Sequence, residues 1–154
     1  MAAYYLDTSA LVKRYTREQG STRVLRLMAR RAVHDLYTVR LTGPEAIAAF
    51  TRKARVGEAT AADAARSSRA FRRHWRHRLL IVEVAEALVE RAMDLAERHG
   101  LRGYDAVHLA AALVVAEARR PLGLPTLTFV SADSAQRQAG TAEGLLVEDP
   151  NAYP

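Results

Sequence analysis

The chain contains no cysteine. This absence excludes disulfide bonds, thiolate metal sites and thiol nucleophiles together. Any metal ion that the protein binds must therefore be held by oxygen or imidazole ligands.

Long apolar runs are also absent. No run approaches the roughly 20 residues that a membrane-spanning helix needs, and the first fifteen residues carry no basic leader before their apolar stretch. We therefore expect a cytoplasmic protein without a secretory signal. Because the sequence has no internal repeat and no Pro/Gly-rich linker, we expect a single domain over residues 1–154.

Three common catalytic loops are missing as well. The sequence has neither G-x-x-x-x-G-K-[ST] nor G-x-G-x-x-G, the loops that bind nucleotide phosphates and dinucleotides. It also lacks the G-x-S-x-G elbow of serine hydrolases. These absences disfavour nucleotide-dependent enzymes and serine hydrolases.

Lysine is rare, although the chain is basic. Only Lys13 and Lys53 are lysines among the 23 basic residues, the formal net charge is +6 and the isoelectric point is near 10.2. Arginine forms forked hydrogen bonds to phosphate, which is compatible with a nucleic-acid partner. A coding bias toward arginine on a solvated surface explains the composition equally well.

Hydrophobic periodicity predicts an α/β fold. Short apolar runs predict strands at residues 3–6, 36–41, 79–84 and 126–130, with a weak fifth at 145–147. Amphipathic segments predict a helix from about residue 9 and others at 21–31, 42–55, 60–78, 85–99 and 105–118. Strands separated by helices indicate a parallel sheet with helices on both faces.

Four acidic residues follow predicted strands or begin the helices after them: Asp7, Glu45, Asp105 and Asp133. In a doubly wound sheet all four lie at the carboxyl edge, where the sites of such sheets form. Each acid could instead cap a helix, and Thr42 with Glu45 has the spacing of a capping box. Capping does not explain why acids recur at one edge.

Carboxylates gathered at that edge would need a counter-charge. Two of them about 4 Å apart repel by roughly 4 kcal/mol at an effective dielectric constant of 20, so a cluster either protonates in part or binds a cation. Oxygen ligands select a hard ion such as Mg²⁺ or Mn²⁺. Such an ion activates water and stabilises charge on a phosphate. The residues alone therefore predict a metal-dependent phosphodiesterase.

A basic helix is a candidate binding surface. Residues 66–78 contain six arginines and no acid, and four of the arginines share one helical face: Arg66, Arg69, Arg73 and Arg76. This face could hold an RNA backbone, receive an acidic protein segment or simply be solvated. Phe71 and Trp75 are offset toward another face and suit a core better than a base-stacking platform.

Phosphotransfer proteins and non-catalytic RNA-binding modules fit the sequence less well. A phosphatase of the haloacid dehalogenase type needs an acid at position 9, which is Ser9, and a receiver domain needs a late lysine, whereas none follows Lys53. A non-catalytic RNA-binding module would avoid four acids on electrostatic grounds.

His108 lies one turn after Asp105, so it could face the acids, contact a phosphate or pack inside.

At these acids the sequence resembles the PIN-domain family and, within it, the VapC-type toxins of bacterial toxin–antitoxin systems. The matching segments are YLDTSAL at residues 5–11, Pro44-Glu45, LRGYDAVHLA at 101–110 and TFVSAD at 128–133. The first and third segments are the specific ones. The resemblance implies a PIN-like three-layer fold with a central parallel sheet of about five strands.

The resemblance further implies a Mg²⁺- or Mn²⁺-dependent endoribonuclease that cuts single-stranded loops in structured RNA. It implies a homodimer, a cognate antitoxin protein that blocks the acidic pocket, and a heterotetramer or larger complex of the two. A PIN-fold nuclease outside a toxin system, acting in RNA processing or on DNA, is the alternative.

The resemblance also assigns roles to individual residues. Asp7 and Asp105 would be the most direct metal ligands, and Asp133 would complete the pocket or support a second metal ion. Glu45 would act through a bound water or as the base. Hydroxyls at the positions of Thr8 and Ser131 often lie beside the acids, and Ser131 and His108 are further candidate contacts to RNA or antitoxin.

Overall fold

Five parallel strands form the central sheet of the computed structural model, which describes residues 1–153. The strands are β1 (Ala3–Leu6), β2 (Asp35–Val39), β3 (Leu80–Val82), β4 (Leu127–Val130) and β5 (Leu146–Glu148). Their order is β3-β2-β1-β4-β5, with every neighbouring pair parallel. The predicted α/β fold is confirmed. Residue 154 of the predicted domain lies outside the described residues.

Seven α-helices accompany these strands within residues 1–153. They are α1 (Thr8–Leu11), α2 (Ser21–Leu27), α3 (Thr42–Arg55), α4 (Ala61–His77), α5 (Glu86–His99), α6 (Gly103–Arg119) and α7 (Ser134–Ala142). Short 3-10 segments occur at Val12–Arg14, Arg120–Leu122 and Pro150–Ala152. None of these helices combines the length and apolarity needed to cross a membrane.

Most predicted elements are present, with shifted ends. Helix α2 ends at Leu27 rather than at residue 31, because the exposed Arg30 and Arg31 offer no apolar face to pack. Helix α6 begins two residues earlier than predicted, at Gly103. Helix α7 follows Asp133 but has no strong apolar repeat, so periodicity did not predict it.

The core consists of two apolar layers, one on each face of the sheet. Alternation along β1 places Tyr5 in one layer and Leu6 in the other, and both side chains are fully buried. The Tyr5 layer packs under α5, α6 and α7, and the Leu6 layer packs under α1 to α4. This three-layer arrangement fixes the carboxyl edge of the sheet between the two helical layers.

Candidate active site

The strand order places the four acids at the carboxyl edge of the sheet. Asp7 follows the central strand β1, Asp133 follows its neighbour β4, and Glu45 lies in the first turn of the helix after β2, the other neighbour. Asp105 lies in the first turn of α6. The chain runs outward from β1 in opposite directions, so that the gap between β1 and β4 is a topological switch point, where doubly wound sheets bind ligands.

Asp7 is the most deeply buried of the four acids, with 3% of the residue exposed. Its Oδ1 accepts hydrogen bonds from Ser9 Oγ at 2.6 Å and from the Ala10 N–H at 2.9 Å, and its Oδ2 accepts one from Ser131 Oγ. Burial raises the pKa of Asp7, although the nearby His108 and these hydrogen bonds oppose the rise. The structure thus orients this carboxylate with hydroxyl groups, and no basic side chain contacts it among residues 1–153.

Glu45 belongs to a second hydrogen-bonded group. Its Oε1 accepts a hydrogen bond from Thr8 Oγ1 at 2.8 Å and lies 2.8 Å from His108 Nε2. The other ring nitrogen of His108, Nδ1, lies 3.0 Å from the Tyr5 hydroxyl. Burial alone would raise the pKa of Glu45, but hydrogen bonds from His108 and Thr8 lower it below its usual value. Glu45 therefore stays ionised.

Asp105 and Asp133 share one arginine. Arg102 Nε donates to Asp105 Oδ2 at 2.8 Å, and Arg102 Nη2 lies 3.8 Å from Asp133 Oδ2. Gln136 is fully buried and donates from its side-chain amide to the Asp105 carbonyl oxygen at 3.0 Å, which ties α7 to the start of α6. These contacts place the two acids on either side of a single positive charge.

The capping interpretation is correct for two of the four acids. Asp7 caps α1, and Asp133 caps α7 by accepting from the Gln136 N–H at 3.0 Å. Asp105 lies inside the first turn of its helix, and the predicted capping box at Glu45 does not form, because Thr42 Oγ1 bonds instead to Thr38 Oγ1 at 2.7 Å. Each cap uses only Oδ1. The Oδ2 atom of Asp7 accepts from Ser131 Oγ, and the Oδ2 atom of Asp133 lies 3.8 Å from Arg102 Nη2.

The acids are not drawn tightly around one point. Among residues 1–153, no group of three or more acidic or histidine side chains is arranged closely enough to hold a metal ion. The positive charge at Asp105 and Asp133 is instead the Arg102 guanidinium, whose side chain is 81% exposed. The available donors are carboxylate oxygens, some of them hydrogen-bonded to hydroxyl groups. Ligands of this type suit a hard divalent cation.

Ser131 and His108, which were predicted to contact RNA or an antitoxin, lie inside the structure. Ser131 is fully buried and His108 is 2% exposed, so neither presents a surface to RNA or to an antitoxin. Both side chains lie on the buried side of the acids, where Ser131 forms a hydrogen bond with Asp7 and His108 forms one with Glu45. Their role in this structure is to orient carboxylates.

The basic helix is α4, and it packs on the face of the sheet opposite to α6. Its four same-face arginines are exposed, and Arg66 is paired with Asp63 at 2.9 Å. Phe71 is 1% exposed and belongs to the core, as predicted, but Trp75 is only partly buried. No contact in the structure joins the four arginines to the acids.

Sequence reasoning missed four residues of the site: Tyr5, Ser9, Arg102 and Gln136. Ser9 and Arg102 lie two and three residues from Asp7 and Asp105, and short-range hydrogen bonding at helix starts could have indicated both. Tyr5 and Gln136 meet their partners across 103 and 31 residues of sequence. No local pattern predicts such pairs.

Comparison with known proteins agrees with this architecture. The PIN-domain family model matches residues 4–140. Ribonuclease VapC49 of Mycobacterium tuberculosis (strain ATCC 25618 / H37Rv) is 36% identical over 117 residues, which cover 76% of this chain and 79% of that protein.

Two solved structures share the fold at low sequence identity. Mycobacterium tuberculosis VapC20, described as a sarcin-ricin loop cleaving toxin, superposes with a TM-score of 0.60 at 18% identity, over 93% of this chain and 96% of that one. The structure of VapBC2 from Rickettsia felis, bound to a DNA fragment from the VapBC2 promoter, superposes with a TM-score of 0.59 at 14% sequence identity. The match covers 96% of this chain and 98% of that one. With the family match and the VapC49 identity, the resemblance noted in the sequence is confirmed, and the chain belongs to the PIN-domain family and, within it, to the VapC proteins.

Proposed function

We propose that this protein is a Mg²⁺- or Mn²⁺-dependent endoribonuclease and the toxin of a toxin–antitoxin pair. The observation that carries the proposal is the buried Asp7 carboxylate at the switch point of the sheet, which is oriented by three donors and forms no ion pair with a basic side chain of residues 1–153. A carboxylate costs stability in such a place unless a positive ligand joins it. The name of the relative VapC49, a ribonuclease, supports RNA as the substrate.

Asp7, Asp105 and Asp133 would hold the metal ion, with Glu45 beside them. When bound, the ion would supply positive charge to the scissile phosphate and acidify a water molecule. Because Arg102 now neutralises Asp105 and Asp133, its exposed side chain would move aside or turn to the phosphate. The chain's own hydroxyls at Ser9 and Ser131 keep the Asp7 carboxylate in one orientation.

In this proposal Glu45 acts through a bound water or as the base that accepts the proton of the attacking water. Thr8 and His108 occupy Oε1, whereas no described residue hydrogen-bonds to Oε2. The lowered pKa keeps the side chain ionised, and 23% of it remains exposed to solvent. As the water oxygen bonds to phosphorus, its proton would pass to Glu45, the bond from phosphorus to the leaving ribose oxygen would break, and that oxygen would take a proton from solvent.

The partners follow from the same assignment. The net charge of +6 and the exposed arginines of α4 favour an RNA substrate or an acidic antitoxin segment. The description of VapC20 as a toxin supports an antitoxin as the second partner. We propose a homodimer that binds the antitoxin as a heterotetramer or a larger complex.

The test is cleavage of total RNA in Mg²⁺, in Mn²⁺ and in excess chelator, with the Asp7→Asn variant in parallel. Asparagine keeps the shape and the α1 cap but removes the charge. Asp63→Asn is the matched control, because Asp63 is an exposed carboxylate in the first turn of α4. We expect discrete, metal-dependent products from the parent and the control only. RNA that is bound but left intact under every metal condition would make the protein a binding module.

A further inference from the structure

An apolar groove lies beside the helix that carries Glu45. Its volume is about 770 Å³, and its walls are formed by Pro44 and Ile47 of α3, by Trp75 of α4 and by Val84 after β3. Val84 is 42% exposed, so the groove opens to solvent. Neither the four acids of the candidate active site nor the four same-face arginines of α4 line this groove.

Trp75 is held in a fixed place against the beginning of α3. The indole lies against the first turn of α3, where a Cβ built at Gly43 would be in ordinary van der Waals contact with it, 3.4 Å from Trp75 Cζ2. The Phe71 ring supports the indole from the core, with 5.5 Å between ring centroids. Gly43 and Glu45 belong to the same first turn of α3, so the groove borders the turn that carries Glu45.

Positive charge borders the groove. Arg40 and Arg72 both line it, and the Arg40 guanidinium carbon lies 5.9 Å from the centroid of the Trp75 ring. Arg40 is paired with the exposed Glu83, whereas Arg72 is exposed and forms no ion pair with a residue between 1 and 153. An aromatic face bordered by arginines is the arrangement that binds single-stranded nucleic acid, since bases stack on the ring and phosphates meet the cations.

We propose that this groove takes a nucleobase next to the cleaved phosphodiester, stacked on Trp75, with Arg72 at the adjoining phosphate. The inference rests on the proposed ribonuclease function and adds a recognition site to it. A protein segment would also bury apolar surface here. The flat indole, the cationic border and the contact with the Glu45 helix together favour RNA.

The experiment uses the fact that Trp75 is the only tryptophan in the chain. The Asp7→Asn protein is titrated in chelator with an eight-nucleotide oligoadenylate and with an abasic ribose-phosphate oligomer of equal length. We expect oligoadenylate to quench and shift the indole emission, and we expect the abasic oligomer to bind more weakly without that change.

Substitutions separate stacking from packing. Trp75→Leu keeps an apolar side chain but removes the aromatic face, and it should weaken oligoadenylate binding, measured by anisotropy of labelled RNA, on the order of tenfold. Trp75→Phe keeps an aromatic face and should bind close to the parent value. Both variants should bind the abasic oligomer as the parent does, and circular dichroism checks that both are folded.

The outcomes distinguish this inference from the proposed function. If the parent cleaves RNA but oligoadenylate leaves the emission unchanged, or if Trp75→Leu binds like the parent, the groove assignment is overturned and the nuclease stands. Emission that responds to an amphipathic Leu/Glu peptide but not to oligoadenylate also overturns it and makes the groove a protein-docking surface. A base-dependent response without any cleavage supports the groove and refutes the nuclease.

Discussion

His108 Nε2 lies 2.8 Å from Glu45 Oε1, while the Tyr5 hydroxyl lies 3.0 Å from Nδ1 of the same ring. A buried imidazole thus connects the central strand to the acid at the start of α3. Since His108 is 2% exposed, we expect it to affect the proposed reaction through Glu45 and not through contact with RNA. We regard it as a positioning residue.

Replacing His108 tests that role. His108→Leu should lower kcat about 10- to 100-fold, the usual effect of losing a group that orients an active-site ligand, and should leave KM for RNA nearly unchanged. His108→Gln can still donate a hydrogen bond to Glu45, and it should recover part of the rate. Steady-state cleavage kinetics on folded protein give both constants. A lower Tm with unchanged kcat would show that His108 only packs.

Removing Arg102 should strengthen metal binding. Its guanidinium lies 2.8 Å from one acid and 3.8 Å from another, so a cation that binds these acids would compete with the charge of Arg102. Arg102→Gln should lower the half-saturating Mn²⁺ concentration about fivefold, measured by calorimetry. Arg98→Gln is the matched control, because Arg98 pairs with Glu143 away from the site. Equal Mn²⁺ affinities in the parent and both variants would contradict the competition.

The raised pKa of Asp7 predicts an unusual effect of pH on stability. Burial raises this pKa above 3.8 in the folded state, so between 3.8 and the folded value the native protein holds a proton that the unfolded chain has lost. The stabilising contribution is complete below 3.8 and is lost as pH rises through the folded pKa.

In chelator at pH 7, the Asp7→Asn variant should therefore have a higher Tm than the parent, by a few degrees, and the difference should shrink toward pH 4. Asp63→Asn should show no such gain, because hydrogen bonds from Thr60 lower the pKa of Asp63. Thermal melts at several pH values provide the measurement. A lower Tm for Asp7→Asn at pH 7 would mean that the lost hydrogen bonds outweigh the removed charge.

Close packing of α7 on the sheet gives a stability prediction. A Cβ at Gly140 would lie 3.0 Å from Phe129 Cδ1 and 3.1 Å from Val147 Cγ1. Gly140→Val should therefore lower the free energy of unfolding by about 1–3 kcal/mol through overpacking. Gly103→Ala meets open space and is the control. Urea denaturation that shows no loss for Gly140→Val would mean that α7 moves freely on the sheet.

The fold could be predicted because its signals are local. Strands such as Ala3–Leu6 and Leu127–Val130 are short apolar runs, and α6 carries apolar residues around most of its surface. Helix α7 shows the limit of this reasoning. Its small and polar side chains have little periodicity, and its stability comes from the Asp133 cap and from contact with β4 and β5.

The sequence by itself determined that four acids follow strands or begin helices, and hence that they meet at one edge of a parallel sheet. Only the tertiary structure decided what each acid contacts. His108 lies beside Glu45, Ser131 is a buried donor to Asp7, and the indole of Trp75 packs on the Phe71 ring. The physical reason is that side-chain hydrogen bonds and packing join residues far apart in the chain, whereas periodicity reports only on neighbours.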